Sequence, residues 1–596
     1  MSTPSYERRS VEERLGILYS DEESRLAGER IRELISRYRE RITPKEHHLS
    51  EKDVILISYG DQVRHTDEAP LQTLKRFLDT HVRDTINALH ILPFYPYSSD
   101  DGFSVVNYSE VDPHMGSWRE VEALGEHFRL MFDGVINHVS QYSDWFKAFL
   151  AEDPAYRDFF IDLDPATDLS GVVRPRVTPL LHEYHDSEGK IRNIWTTFSQ
   201  DQVDLNYKSV NVLIAVLDAL FFYIEKGATL IRLDAIAFIW KELGTPCVHL
   251  QQTHELIQLM RDVLHEVDPS VIIITETNVP HDENISYFGS GEDEAQMVYN
   301  FALPPLLAHS VLQGNTKKLT AWAKTLKLPS DKVCFFNFTA SHDGVGVRAV
   351  DGILSEKEVD YLVAKTIDHG GLVSYRSCGN GEKKPYELNC SYIDILTHPD
   401  EENALRIKRM LLTQAVVLAM PGIPGVYFHS LVGASNDRRG VELSGVNRSI
   451  NREKFNVDQL EARLNDQSSL NNSIFNAYKR LLSIRINERA FNPFGPFVFL
   501  DLHSALFCVH HESTDLNDHI LTVHNFSDNP VSIDLPDYFH PGAVDLIANR
   551  TIERLHVTLT PYAVLWIKGD IDTERFFKCV GRMRPLDTTH SKGVTR

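Results

Sequence analysis

The sequence predicts an α/β fold, a (β/α)8 barrel of the TIM type that carries an N-terminal helical extension, a subdomain inserted after strand 3 and a C-terminal antiparallel β domain. Three observations predict it. Eight short, almost continuous β-branched and aromatic runs recur between residues 54 and 428, the texture of parallel strands buried on both faces. The segments between the runs are long enough for crossover helices. Polar residues (Asp, Asn, His or Glu) stand at the run ends, where the chemistry of a barrel collects.

The elements follow in order. Residues 10–41 are charged and helix-favouring, and Leu15, Leu18, Leu26, Ile31, Leu34 and Ile35 trace a helical apolar stripe. Residues 1–50 are therefore a helical extension that packs on something else. The strand windows are 54–61, 88–96, 130–138, 228–235, 271–278, 297–304, 333–343 and 415–428. They assign residues 51–138 and 207–491 to the barrel. About 90 residues between the third and fourth windows exceed one crossover helix, which makes residues 139–206 an inserted subdomain. A second excursion, 344–406, follows the seventh window. Beyond residue 492, SALFCVHHES, HILTVHNFSD, PVSIDLP and PYAVLWIK alternate with Asp, Asn and Pro turns, an antiparallel β domain over 492–572. Residues 573–596 read as a loosely held polar tail.

Composition narrows the function. With 61 Lys+Arg against 84 Asp+Glu the 596-residue chain carries a formal charge of −23, which repels nucleic-acid backbones. An apolar fraction of 42% with 10% aromatics supports large cores. The six cysteines show no C-x-x-C pairing, and neither a signal peptide nor a membrane-length apolar run appears. A cytoplasmic, soluble protein with no membrane partner is expected, as monomer or homodimer. Neither a calcium loop nor an H-E-x-x-H helix is present, so no metal and no cofactor are expected.

Asp234, Glu276 and Asp343 stand at the ends of the fourth, fifth and seventh windows. One acid at a strand end is commonly a cap or ion-pair residue. Three on one barrel rim, with Arg232 on the face of Asp234, form instead a set suited to glycosyl transfer, in which a retaining enzyme uses one carboxylate as nucleophile and another as acid/base.

DGVINH (133–138), IRLDA (231–235), TET around Glu276 and ASHD (340–343) resemble the four short motifs of the α-amylase superfamily, in order, over a match spanning residues 52–568. HILPFYPYSSDDGFSVVNYSEVD, RPRVTPLL, WTTFSQDQVDLN, YNFALPPLLAHSVLQGN, SHDGVGV and the INRE segment are similar to its sucrose phosphorylase subfamily, which moves a glucosyl unit to inorganic phosphate. The resemblance implies a glycosyltransferase acting on a small glucoside and phosphate. Asp234 would be the nucleophile, Glu276 the acid/base and Asp343 the transition-state stabiliser. Asp100, His138, His342 and Arg452 would hold the glucose, Arg232 would orient Asp234, and Phe198 would face the cationic ring with Gln202 nearby. Arg176 and Tyr386 would bind phosphate. Taken without the family, Phe198 could be core packing, His138 a structural histidine and the RPR triplet a solvated turn.

The chain departs from the sucrose enzymes at GNGEKKPYELN, where Lys383 and Lys384 precede Tyr386. Two lysines beside a phosphate site suit an anionic acceptor. With the N-terminal extension, the pattern is most similar to the glucosylglycerate phosphorylases, which release D-glycerate from 2-O-α-D-glucosylglycerate. If the lysines only solvate a loop, sucrose returns as substrate. Sucrose 6-phosphate, whose acceptor is also anionic, stays open as a substrate, as does an α-glucosidase or transglucosidase reaction in place of phosphorolysis.

Overall fold

A computed structural model describes residues 8–377 and 383–580. Eight parallel strands close into one barrel: β1 (Ile55–Ser58), β2 (Ala88–Ile91), β3 (Arg129–Gly134), β4 (Ala228–Leu233), β5 (Ile272–Thr275), β6 (Met297–Tyr299), β7 (Cys334–Asn337) and β8 (Ile423–Tyr427). Seven lie within a predicted window, and β3 starts one residue ahead of its own. Neighbours in sequence are neighbours in space, and β1 seals the ring by pairing with β8, Ile55 opposite Gly425. Gly425 is required by its neighbour: a Cβ there would sit 2.4 Å from the Phe336 ring, inside a packed barrel that tolerates no such overlap. The eighth window is only half strand. Residues 415–419 belong to the helix Asn403–Ala419, because their apolar run is a buried helix face, which periodicity cannot tell from a strand.

The N-terminal extension forms two helices, α1 (Val11–Leu18) and α2 (Asp21–Arg39). Each starts with a capping box, Ser10 with Glu13 and Ser20 with Glu23. The second box starts a separate helix within the predicted helical extension. Buried Ala27, Ile31, Leu34 and Tyr38 set the stripe of α2, and Leu26, expected in it, is exposed. The surface they cover is the helix pair Val210–Glu225 and Gln251–His265. Arg14, fully buried, reaches Glu255 at 3.0 Å and Asp262 at 3.2 Å. Tyr19 donates to the Tyr207 carbonyl at 2.9 Å and Tyr38 to Asp218 at 2.7 Å.

Between β3 and β4 the chain makes the hairpin Leu181–His185 with Ile191–Trp195, and a two-strand pairing of His138–Ser140 with Gln202–Asp204. After β7 a three-stranded sheet places Lys383–Asn389 between Val345–Gly346 and Leu372–Ser377. The expected lysine loop falls partly on residues 378–382, outside the described residues. The C-terminal region is a six-stranded antiparallel sheet, with a two-stranded one, Val531–Asp534 and His556–Leu559, beside it. Both faces of its central strands are covered. Phe507, Val509, Ile520 and Trp566 join the barrel's core, while Leu506, Cys508, Leu521, Val523 and Ile567 form a second one. The tail expected from residue 573 is a helix, Thr573–Val580, at its described start. Phe576 is fully buried there, its ring 4.4 Å from that of His510. Among the described residues no helix is long and apolar enough to cross a membrane.

Candidate active site

Strand register builds the floor of the site. Arg232 on β4 lies opposite Asp133 on β3 and Ile274 on β5. Its buried guanidinium donates to Asp133, and to Asp234 at 2.9 Å, and stands 3.9 Å from Glu276. Asp133 is fixed on its other oxygen by His90, 2.7 Å away, and His90 and Arg232 outweigh the cost of burial to hold its carboxyl at about 2. Asp234 and Glu276 are the first residues past their strands. The Asp234 amide still bonds the Gly134 carbonyl at 3.1 Å, and the Glu276 amide that of Leu233 at 3.2 Å. Ala235, held at a φ of 50°, aims its N–H at Glu276, 3.0 Å away. A left-handed alanine is a strained residue of the kind that persists where its neighbours overdetermine it.

Burial raises both Asp234 and Glu276, to about 7 each, against the pull of Arg232. Arg232 hydrogen-bonds Asp234 directly and reaches Glu276 only at 3.9 Å. Of the two, Asp234 is therefore the more strongly favoured in its charged form.

The wall opposite comes from loops. Burial works to raise Asp343, but Arg448, whose Nη1 lies 2.7 Å away, and behind it Arg232, Arg452 and Arg176 bring it below the usual carboxylate range. His342 stacks on Phe103 with ring centroids 4.4 Å apart. Arg452 donates to the His342 carbonyl at 2.8 Å and to Asp100 at 3.4 Å. His138 and Gln202 both donate to the Phe103 carbonyl, at 2.9 and 3.0 Å. Phe198 lies between His138 and Phe238, 5.4 and 5.6 Å from their rings. A buried Lys241–Asp204 pair at 2.6 Å anchors this segment, since Asp204 also takes the Thr197 amide at 2.7 Å.

These groups surround one cavity of about 70 Å³ that opens to solvent, a concave site with convergent polar groups of the kind that takes a small molecule. Of the expected residues, Asp100, His138, Arg176, Phe198, Gln202, Asp234, Glu276, His342, Asp343 and Tyr386 line it. Arg232 and Arg452 stand behind the lining and hold it. Lys384 is not brought in. Its ammonium pairs with Glu356 at 2.9 Å and borders a separate surface pocket with Lys383. The reason is a register shift: Ser374 pairs with Glu387 but Tyr375 with Pro385, leaving Tyr386 as an extra residue. Such a bulge re-aims side chains, and Tyr386 and Glu387 both reach the cavity.

Several lining residues escape the sequence reading, among them Phe103, Asn278, Glu387 and Arg448. Arg448 lies four positions before Arg452 and Glu387 directly after Tyr386, adjacency that offers the only local signal. Asn278 keeps a buried Oδ1 without a hydrogen-bond partner, an acceptor in the wall of the cavity. Gly346 makes room for it, since a Cβ there would come within 2.3 Å of its Nδ2.

Comparison with known proteins places this architecture. Residues 83–349 match the model of the alpha amylase catalytic domain. A glucosylglycerate phosphorylase of Spirochaeta thermophila is 43% identical over 94% of this chain and 98% of its own length. Relatives of the same name from Escherichia coli and Allomeiothermus silvanus are 42% and 48% identical over 88% and 82% of this chain, and 93% and 88% of their own. The glucosylglycerol phosphorylase of Marinobacter adhaerens falls to 30% over 68% of this chain and 83% of its own. The crystal structure of sucrose 6F-phosphate phosphorylase from Thermoanaerobacter thermosaccharolyticum superposes with a TM-score of 0.70 at 23% identity, covering 80% of this chain and 94% of that one, and so shares the fold. The chain, an α-amylase-type barrel with strand-end carboxylates around one cavity, therefore belongs to the glucosylglycerate phosphorylase family.

Proposed function

We propose that this protein is a retaining glucosylglycerate phosphorylase, converting 2-O-α-D-glucosylglycerate and phosphate into α-D-glucose 1-phosphate and D-glycerate. The observation that carries the reading is the pairing of three carboxylates with two arginines, Arg176 and Arg448, around one cavity, in a chain 42 to 48% identical to relatives named for that reaction.

Ionised Asp234 attacks the anomeric carbon while Glu276 gives its proton to the departing glycerate oxygen. The C–O bond to glycerate breaks as the bond to Asp234 forms, leaving a β-glucosyl ester. Arg232 keeps Asp234 charged and oriented until then. Glycerate departs and phosphate enters. Glu276, now ionised, takes a proton from phosphate as its oxygen displaces Asp234, so two inversions return the α-configuration. Asp343 and Asp100 hold the sugar hydroxyls, and Phe198 lies beside the ring as it gains positive charge. With Lys384 paired to Glu356, recognition of the two anions rests on Arg176, Arg448 and Tyr386. The reaction is proposed to run in the cytoplasm, on a monomer or homodimer.

The test is incubation with phosphate and, separately, glucosylglycerate, glucosylglycerol, sucrose and sucrose 6-phosphate, with assay of α-glucose 1-phosphate. Glucosylglycerate is expected to give by far the highest kcat/KM. Free glucose in place of the phosphate ester would make the protein a hydrolase.

A further inference from the structure

The two arginines of the cavity share one carboxylate. Arg448 grips Glu387 with two parallel hydrogen bonds, one from Nε at 3.1 Å and one from Nη2. Arg176 lies over the Tyr386 ring at 5.3 Å and brings its Nη1 to 3.7 Å from the same carboxylate, its one ion pair among the described residues. That distance leaves the Arg176 donors short of a hydrogen bond to Glu387. Glu387 itself is buried, its side chain 3% exposed, and Asn389 donates to it at 3.3 Å. The far side of Arg448 faces Asp343 at 2.7 Å and Asp100 at 3.7 Å. A carboxylate held between two guanidinium groups occupies the position that a carboxylate or phosphate ligand would take, because both bind guanidinium through paired oxygens.

Double displacement makes that position a place of exchange. D-glycerate must leave it before phosphate enters, and glucose 1-phosphate must leave it in turn. All three are anions. Without Glu387, Arg448 would keep only Asp343 and Asp100 and Arg176 would lose its ion pair among the described residues, so the two would retain each anion longer and slow every exchange.

We propose that Glu387 is a built-in counter-anion that competes with glycerate and phosphate for Arg176 and Arg448, and so sets how tightly both are held. It acts through the two arginines as a positioning residue that tunes affinity for both anions, and the inference rests on the phosphorylase reading above.

E387Q keeps the shape and removes the charge. In this variant the KM for phosphate and the inhibition constant of D-glycerate are expected to fall together, by about three- to tenfold, while kcat for phosphorolysis falls because product release slows. E387D draws the charge back by one methylene and is expected to move both constants the same way by less, which covers the case in which E387Q does not fold. A rise of either constant in either variant, or a fall for phosphate with glycerate unmoved, overturns the proposal. Absence of phosphorolysis in the unaltered protein would instead remove the reading beneath it, and that control needs no variant.

Discussion

At the scale of single residues the proposed mechanism turns on the protonation of Asp234 and Glu276, both raised to about 7 by burial. In that mechanism cleavage of glucosylglycerate needs Asp234 ionised, so kcat/KM is expected to fall as pH drops and Asp234 takes up a proton. It also needs Glu276 protonated, so kcat/KM falls again as pH rises past about 7, the value burial imposes. A bell-shaped profile is expected. With α-glucosyl fluoride, whose leaving group needs no proton, the alkaline limb of the first step should vanish; a limb that persists would remove Glu276 from the acid role. By the same reasoning E276Q should lose about 10²- to 10⁴-fold on glucosylglycerate and far less on the fluoride. Asp234, Glu276 and Asp343 are legible in the sequence because each follows a recognisable strand. Arg448 and Glu387 are not: they sit 61 positions apart on a helical turn and a bulged strand, and only the closed fold makes them a pair.

Among the elements, the segments that leave strand ends set the acceptor side. Gly346, in the short strand paired with Lys383–Asn389, gives Asn278 its space. G346A should displace Asn278 and raise the KM for D-glycerate in the reverse reaction several-fold with a smaller loss of kcat, measured by initial rates; equal kinetics would show that Asn278 touches no acceptor. On the outer face of the barrel, R14M leaves Glu255 and Asp262 without their buried partner, which should cost about 3 to 5 kcal/mol, read as a lowered denaturation midpoint with α1 and α2 the first part lost. Helix boundaries are the least legible feature of these elements. The second capping box splitting α1 from α2 is plain once seen, yet the composition on either side is the same. The bulge at Tyr386 has no sequence signature, and without it Lys384 and Tyr386 would share a face.

For the whole molecule, the site is not a positive island in an acidic chain. Around the cavity Arg176, Arg232, Arg448 and Arg452 meet Asp100, Asp133, Asp234, Asp343 and Glu387, so the guanidinium groups are matched or exceeded by carboxylates. Anions are recognised there by oriented donors and not by an excess of positive charge. Because the chain as a whole carries −23, kcat/KM for phosphate should rise as ionic strength increases from about 10 to 150 mM and screens the repulsion; a steep fall would indicate a positive field at the entrance. Architecture at this scale is the most legible of all. Eight buried strands announce themselves by composition, and their order follows from the rule that neighbours in sequence pair.

Closure of the barrel has a kinetic consequence. The strand Ile55–Ser58 finds one of its two partners in Ile423–Tyr427, the last strand of the ring. During synthesis its free edge therefore stays open until more than two thirds of the chain has emerged, and an open apolar edge is a template for wrong pairing. The two arginine-bearing helices ahead of it have their own partners, residues 210–225 and 251–265, available far earlier. They can dock onto a half-made barrel, holding the start of the chain in place while its final neighbour is still on the ribosome.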